Sequence, residues 1–144
     1  DSDYSGVTSQ MIEVYNQYQC SVVAIEEIPM DQTKKYGIVA GDLLNNSINT
    51  YRVTDMVEKP SKNNAPSNMA IIGRYILTPD IFNILKSVKP DKSGEIQITD
   101  ALKIQASQGR VIAYKFKGKR FDCGGVKGYL EANNYFASKL GINN

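Results

Sequence analysis

An acid and a base stand side by side in Asp55-Met56-Val57-Glu58-Lys59-Pro60, at the end of an apolar stretch and directly before a proline. Proline lacks a backbone donor and fixes its own φ, so it stops sheet pairing where the charged pair is presented. Glu58 and Lys59 together present two opposite charges at a strand exit, which suits an anionic, hydroxyl-rich ligand. The plain alternative is a solvated ion pair at a strand end, a common and weak arrangement. Asp122 precedes the glycine pair Gly124-Gly125 at the opening of a helix. A carboxylate there can hold a metal ion that also touches a phosphate, or can simply cap the helix. The run Lys115 to Arg120 interleaves basic residues with Phe116, and Phe121 follows it. It reads as a phosphate or nucleic-acid contact or as a solvated hairpin. Glu95-Ile96-Gln97-Ile98-Thr99-Asp100 places polar groups opposite a core face, with Glu95 or Asp100 able to approach a ligand.

Composition narrows the chemistry. The chain has 144 residues and no histidine, which removes the Ser/His/Asp triad, the Cys/His dyad and most zinc hydrolases. Any metal must then be held by oxygens, favouring magnesium or calcium. A formal net charge of +2 gives no electrostatic footprint for nucleic acid or an anionic membrane. Cys20 and Cys123 lie far apart without CxxC spacing, which fits a reducing cytoplasm. No apolar run has membrane length and no signal peptide is expected.

The elements that must position these residues follow from periodicity. Met11, Val14, Tyr15 and Tyr18 recur at helical spacing, predicting a helix over Ser9 to Tyr18. Ser21 to Ile25 is a continuous β-branched run, expected to be a strand covered on both faces in a parallel or mixed sheet. A helix feeding such a strand is the second half of a βαβ unit, so the chain is expected to begin in the middle of a domain. Residues 26–35 read as a loop, and Tyr36 to Ala40 as a short strand with Gly37 inside it. That glycine marks either a close approach of backbone or ligand, or a bulge. Ile48 to Val57 is the strand that ends in the charged pair. Met69 to Leu77 is a long buried strand interrupted by Gly73. Thr78-Pro79-Asp80 predicts a helix start with a hydroxyl cap, and its helix carries Ile81, Phe82, Ile84, Leu85 and Val88 until Pro90. A second helix is expected from near Ser93-Gly94-Glu95 to Gly109, then a strand over Val111 to Phe116. The last helix runs from Val126 with Tyr129, Ala132, Phe136 and Leu140 on one face. The fold class expected is α/β, a mixed and mostly parallel sheet with flanking helices.

Five strings then carry a resemblance. They are Tyr36-Gly37-Ile38-Val39, Met56-Val57-Glu58-Lys59-Pro60, the run Ala65 to Leu77, Gly94-Glu95-Ile96-Gln97-Ile98-Thr99-Asp100-Ala101-Leu102, and Phe121-Asp122-Cys123-Gly124. In this order they resemble the successive signatures of the bacterial UTP:glucose-1-phosphate uridylyltransferases, within the sugar-nucleotide pyrophosphorylases. The resemblance covers essentially the whole chain. It implies a Rossmann-like nucleotidyltransferase fold, present as an incomplete domain, with residues 1–144 forming the sugar-phosphate-binding C-terminal part. It further implies a Mg2+-dependent reaction in which glucose 1-phosphate attacks UTP to give UDP-glucose and pyrophosphate. By the same resemblance Lys59 is catalytic and holds the sugar phosphate, Glu58 binds glucose hydroxyls, Gly37 lets its backbone approach the sugar, and Asp122 is one of two metal-binding aspartates. A cytoplasmic homo-oligomer with small-molecule substrates, and neither nucleic acid nor membrane as partner, is expected. The family's glycine-rich loop, Gly-x-Gly-Thr-Arg-x-x-Pro, has no counterpart in the sequence, and neither has the second aspartate. The 144-residue chain by itself is therefore expected to be inactive. A different class of function, a binding or self-association module built on the last helix, stands beside this reading. One geometric difficulty remains: neighbours on a regular strand point to opposite faces, so Glu58 and Lys59 share a ligand only if the strand twists or bulges there.

Overall fold

The computed structural model describes residues 5–142. Its elements in order are α1 (Val7–Tyr18), β1 (Ser21–Glu27), a 3-10 helix (Met30–Lys35), β2 (Gly37–Leu43), β3 (Thr50–Glu58), β4 (Met69–Ile76), α2 (Ile81–Leu85), α3 (Ile98–Ser107), β5 (Val111–Lys115) and α4 (Val126–Lys139). The strands pair in the order β1-β4-β2-β3-β5, and β5 returns to β1, so the pairings close on themselves. The α/β class with helices flanking a mixed sheet is as expected. The direction of pairing is not mostly parallel: β1 and β5 are parallel, while β1–β4, β2–β3, β2–β4 and β3–β5 are antiparallel.

The reason lies in burial. Val22, Ala24, Ile112 and Tyr114 pack with Met11 and Val14 of α1, while Val23, Ile25, Val111 and Ala113 pack with Ile81, Ala101, Leu102 and Ala106 of α2 and α3. Alternate residues of β1 and β5 thus enter two cores, as the period of two requires. Cover on both faces makes the run continuously apolar, and that run carries no information about the direction of the neighbouring strands. Each fully buried Ile, Leu or Val contributes about 1.5–3 kcal/mol relative to exposure.

Several boundaries differ from expectation for local chemical reasons. The stretch expected as a loop holds the end of β1 and the 3-10 helix, leaving Ile28 and Pro29 between them. Gly37 opens β2 rather than lying inside a strand. The hydroxyl of Thr78 does not cap α2; it sits against the Ser21 hydroxyl at 3.1 Å and accepts from Gln105 Nε2 at 3.0 Å, and α2 is a short helix. The next helix begins at Ile98, because the Asp91 carboxylate gathers Ser93 N, Ser93 Oγ, Glu95 N and Gln97 Nε2 into a closed loop ahead of it. Side chains of this kind compete with helical hydrogen bonds and favour turns. Those bonds, the Ser93 hydroxyl first and then the Gln97 amide, hold the Asp91 carboxyl well below its usual range. Of the face expected to be apolar on α4, Ala132 is buried while Tyr129, Phe136 and Leu140 are exposed.

A polar cluster under the sheet had no signal in the periodicity. Gln105 of α3 is fully buried and accepts from Ser21 Oγ at 2.8 Å while donating to Thr78 Oγ1 and, at 2.9 Å, to Asp80 Oδ2. Arg110 completes it with a two-pronged contact to Asp80 at 2.7 and 3.1 Å. The Thr78 hydroxyl, the Gln105 amide and then Arg110 outweigh the opposing effect of burial and hold Asp80 down at about 2. A carboxyl depressed in the folded state stabilises the fold above its unfolded pKa of about 3.9 and loses that contribution as pH falls through its folded value. Urea midpoints measured from pH 6 down to pH 2.5 should therefore decline less steeply for Asp80→Asn than for the parent chain. Equal slopes would remove Asp80 as a source of the acid sensitivity.

Candidate functional site

In the β2–β3 ladder Gly37 pairs with Glu58, the last residue of β3. The next residue, Lys59, leaves the pleat with φ 45°, in the left-handed region, while its N–H still donates to the Tyr36 carbonyl at 3.0 Å. Thr33 of the 3-10 helix donates to the Pro60 carbonyl at 3.1 Å and holds the exit of the turn. This change of backbone answers the geometric difficulty: Lys59 Nζ comes to 4.0 Å from Glu58 Oε1, so the two groups reach one side. The left-handed conformation costs a non-glycine residue about 1–2 kcal/mol, and strain of this kind gathers at functional sites.

The second oxygen of Glu58 is engaged. Thr99 Oγ1, buried in the first turn of α3, donates to Glu58 Oε2 at 2.6 Å. A Cβ added at Gly37 would meet Glu58 Oε2 at 3.0 Å and Thr99 Oγ1 at 3.3 Å. Gly37, Glu58 and Lys59 are therefore brought together, and Thr99 joins them. Burial, and secondarily the negative charge of Glu58, raises the pKa of Tyr75 nearby. Glu95 lies in the Asp91 loop, where its carboxylate accepts from Gln97, and Asp100 lines an exposed groove with Val88, Lys103 and Ile104.

Asp122 lines a cleft that Gly37, Glu58 and Lys59 do not line. Its Oδ1 accepts from the Gly124 N–H at 3.1 Å, and it shares the cleft, of about 260 Å³, with Ile72, Arg74, Phe116, Lys119 and Arg120. The link between the two places is Arg120, which donates to Glu26 at 2.8 Å and to the Tyr36 hydroxyl at 3.3 Å, next to Gly37. Lys115 is likewise paired with Glu27 at 2.8 Å, so two cations of the basic run are answered by acids of β1. Among the described residues no three acidic, cysteine or histidine side chains gather to hold a metal ion. Asp122 offers one exposed carboxylate, and the residues present do not make a complete metal site.

Two substitution pairs test this geometry. Because residue 59 is left-handed, Lys59→Gly should be more stable than Lys59→Ala by about 1 kcal/mol in denaturant unfolding. Equal stability would mean that the turn is not left-handed in solution. A Cβ at Gly128 of α4 would overlap the Asp122 carbonyl, whereas one at Gly125 meets nothing within 4 Å. Gly128→Ala should lower stability by about 1–3 kcal/mol, as overpacking does, and Gly125→Ala should not.

Comparison with known proteins bears on the chain as a whole. Residues 2–139 match the model of the nucleotidyl transferase family. A UTP–glucose-1-phosphate uridylyltransferase of Pseudomonas aeruginosa is 59% identical over 134 residues, covering 93% of this chain and 47% of that protein. Among solved structures, an apo UDP-glucose pyrophosphorylase superposes with a TM-score of 0.89 at 55% identity, covering 96% of this chain and 50% of its own. A UDP-glucose pyrophosphorylase complexed with UDP-glucose gives a TM-score of 0.88 at 55% identity, covering 95% and 51%. The chain spans about half the length of the curated relatives it matches. Nucleotidyl transferases of this kind commonly use a divalent metal. With the match extending over nearly every residue, and the fold shared with solved pyrophosphorylases, the chain belongs to the nucleotidyl transferase family.

Proposed function

We propose that this chain carries the sugar-phosphate half of a site that forms UDP-glucose and pyrophosphate from UTP and glucose 1-phosphate. The observation that carries the reading is the convergence of Gly37, Glu58 and Lys59, with Lys59 turned out of the pleat to share a side with Glu58. Support comes from the 55% identity to a pyrophosphorylase that was solved with UDP-glucose bound.

The chemistry is positioning and charge neutralisation. Lys59 is the more exposed partner of its pair and sits at a distance too long for a hydrogen bond to Glu58, so its ammonium is available to a phosphate. Glu58 Oε1 accepts from sugar hydroxyls, and Gly37 keeps the wall beside them low. Holding the sugar phosphate still while its oxygen attacks the α-phosphorus of UTP in line lowers the entropic part of the barrier, and no histidine is required. Asp122 is proposed as one carboxylate that would hold Mg2+, and the ion would supply neutralisation of phosphate charge. We further place the protein in the cytoplasm, in keeping with the free thiols of Cys20 and Cys123. The exposed Tyr129, Phe136 and Leu140 of α4 favour a homo-oligomer, and a monomer mass unchanged across a dilution series would remove that part.

Titration calorimetry with glucose 1-phosphate should show binding by the 144-residue chain that weakens at least about tenfold in Lys59→Ala, the scale of a lost charge-assisted contact. The same chain supplied with UTP, glucose 1-phosphate and Mg2+ should form no UDP-glucose. Affinity unchanged in Lys59→Ala would sink the assignment of the phosphate to this residue, and turnover by the chain would sink the assignment of a half-site.

A further inference from the structure

We infer that Thr99 is a positioning residue: its hydroxyl fixes one carboxylate oxygen of Glu58 so that the other is presented to the ligand beside Lys59, and residue 37 is glycine to leave room for that bond. The inference deepens the sugar-phosphate reading and rests on it. A glutamate at the end of a strand has rotatable χ angles and, left to solvent, samples several rotamers. Glu58 does not have that freedom here. Thr99 Oγ1 donates to Oε2 at 2.6 Å, the length of a charge-assisted O–H···O⁻ bond, and the threonine is only 3% exposed. Oε1 is the oxygen that faces Lys59 Nζ. One oxygen is tied to the scaffold and its partner is offered to the ligand.

The donor is itself rigidly held. A β-branched side chain has few χ1 choices in a helix, and a helical threonine often turns its hydroxyl to a carbonyl one turn back. Thr99 instead reaches across to β3, in a helix that Leu102, Ala101 and Gln105 anchor in the core. Gly37 supplies an independent observation. A methyl group there would press on Glu58 Oε2 at 3.0 Å and on Thr99 Oγ1 at 3.3 Å, the two atoms of the bond, and on Ile71 Cδ1 at 3.2 Å. Both polar side chains could swing away from such a methyl group, and in doing so they would part. Gly37→Ala should therefore reproduce the loss of Thr99.

The test compares the parent chain with Thr99→Ser, Thr99→Val and Gly37→Ala. Side-chain NMR couplings of Glu58 are read without ligand, and affinity for glucose 1-phosphate is read by calorimetry. A single Glu58 rotamer is expected in the parent and in Thr99→Ser, whose hydroxyl rescues the bond. Averaged rotamers and an affinity about tenfold weaker are expected in Thr99→Val and Gly37→Ala, the scale of one hydrogen bond to a charged group. A Glu58 that stays fixed in Thr99→Val, or that is already averaged in the parent chain, overturns the inference. Should Thr99→Val fail to fold, Thr99→Ser and Gly37→Ala carry the comparison. A folded parent chain with Glu58 fixed through Thr99 but no affinity for the sugar phosphate supports the positioning bond and overturns the sugar-phosphate reading alone.

Discussion

Side chains that follow one another on a pleated strand point to opposite faces, so a ligand that needs two neighbours requires a break in the pleat. The structure makes that break at a single residue. Lys59 takes a left-handed conformation one step after the ladder ends, and its strain is held by bonds on either side, the Lys59 N–H to Tyr36 and the Pro60 carbonyl to Thr33. Pro60 then prevents β3 from continuing its pairing. Without the turn, Glu58 would face the site and Lys59 the opposite side. The charge pair would then be an ordinary strand-end pair of little consequence.

Holding Glu58 in one orientation depends on where α3 sits, and α3 is placed by two kinds of interaction. Ala101, Leu102 and Ala106 enter the core with Val23, Ile25 and Val53, contributing the larger share of the energy through apolar burial. Gln105 contributes direction: its amide bonds to Ser21, Thr78 and Asp80 allow one register of the helix against β1. A typical hydrogen bond adds about 1 kcal/mol net, while a buried amide left unpaired costs about 1–3 kcal/mol. The cluster therefore acts mainly by penalising any displaced arrangement. Thr99, on the same helix, inherits that register and delivers its hydroxyl to Glu58. The precision of the site is a property of the core beneath it.

Much of this was legible in the residues, and what was not has physical causes. A proline after an acid and a base marks Glu58-Lys59 as a strand exit, and a glycine in an apolar strand marks Gly37 as either a close approach or a bulge, between which the packing against Glu58 and Thr99 decides. The left-handed turn has no local signature, because lysine is an unusual occupant of that region and the surrounding bonds, not its own preference, keep it there. Thr99 is silent for a similar reason: a threonine in the first turn of a helix reads as a helix residue, and its partner lies on a distant strand. The starts of α2 and α3 depart from their sequence signals because Thr78 and Asp91 spend their hydrogen bonds elsewhere, Thr78 on the buried cluster and Asp91 on its own loop. The direction of pairing is not legible at all, because an apolar run reports only two-sided burial.

The distribution of committed and uncommitted charge then bears on where a phosphate would settle. Lys115 and Arg120 each approach a glutamate of β1 at 2.8 Å, and Arg120 also donates to Tyr36, so both already have strong anionic partners. Moving either to a phosphate would expose a carboxylate that had been paired, which offsets part of the gain. Lys59 lies 4.0 Å from Glu58 and is the more exposed of the two, so an arriving phosphate meets an ammonium with donors to spare. Glu58 in turn has its charge shared with Thr99, which lowers its demand on the lysine. The same bond that orients the carboxylate thus loosens its hold on the cation beside it. A sugar phosphate can then approach with its hydroxyls toward Glu58 and its anionic end toward Lys59.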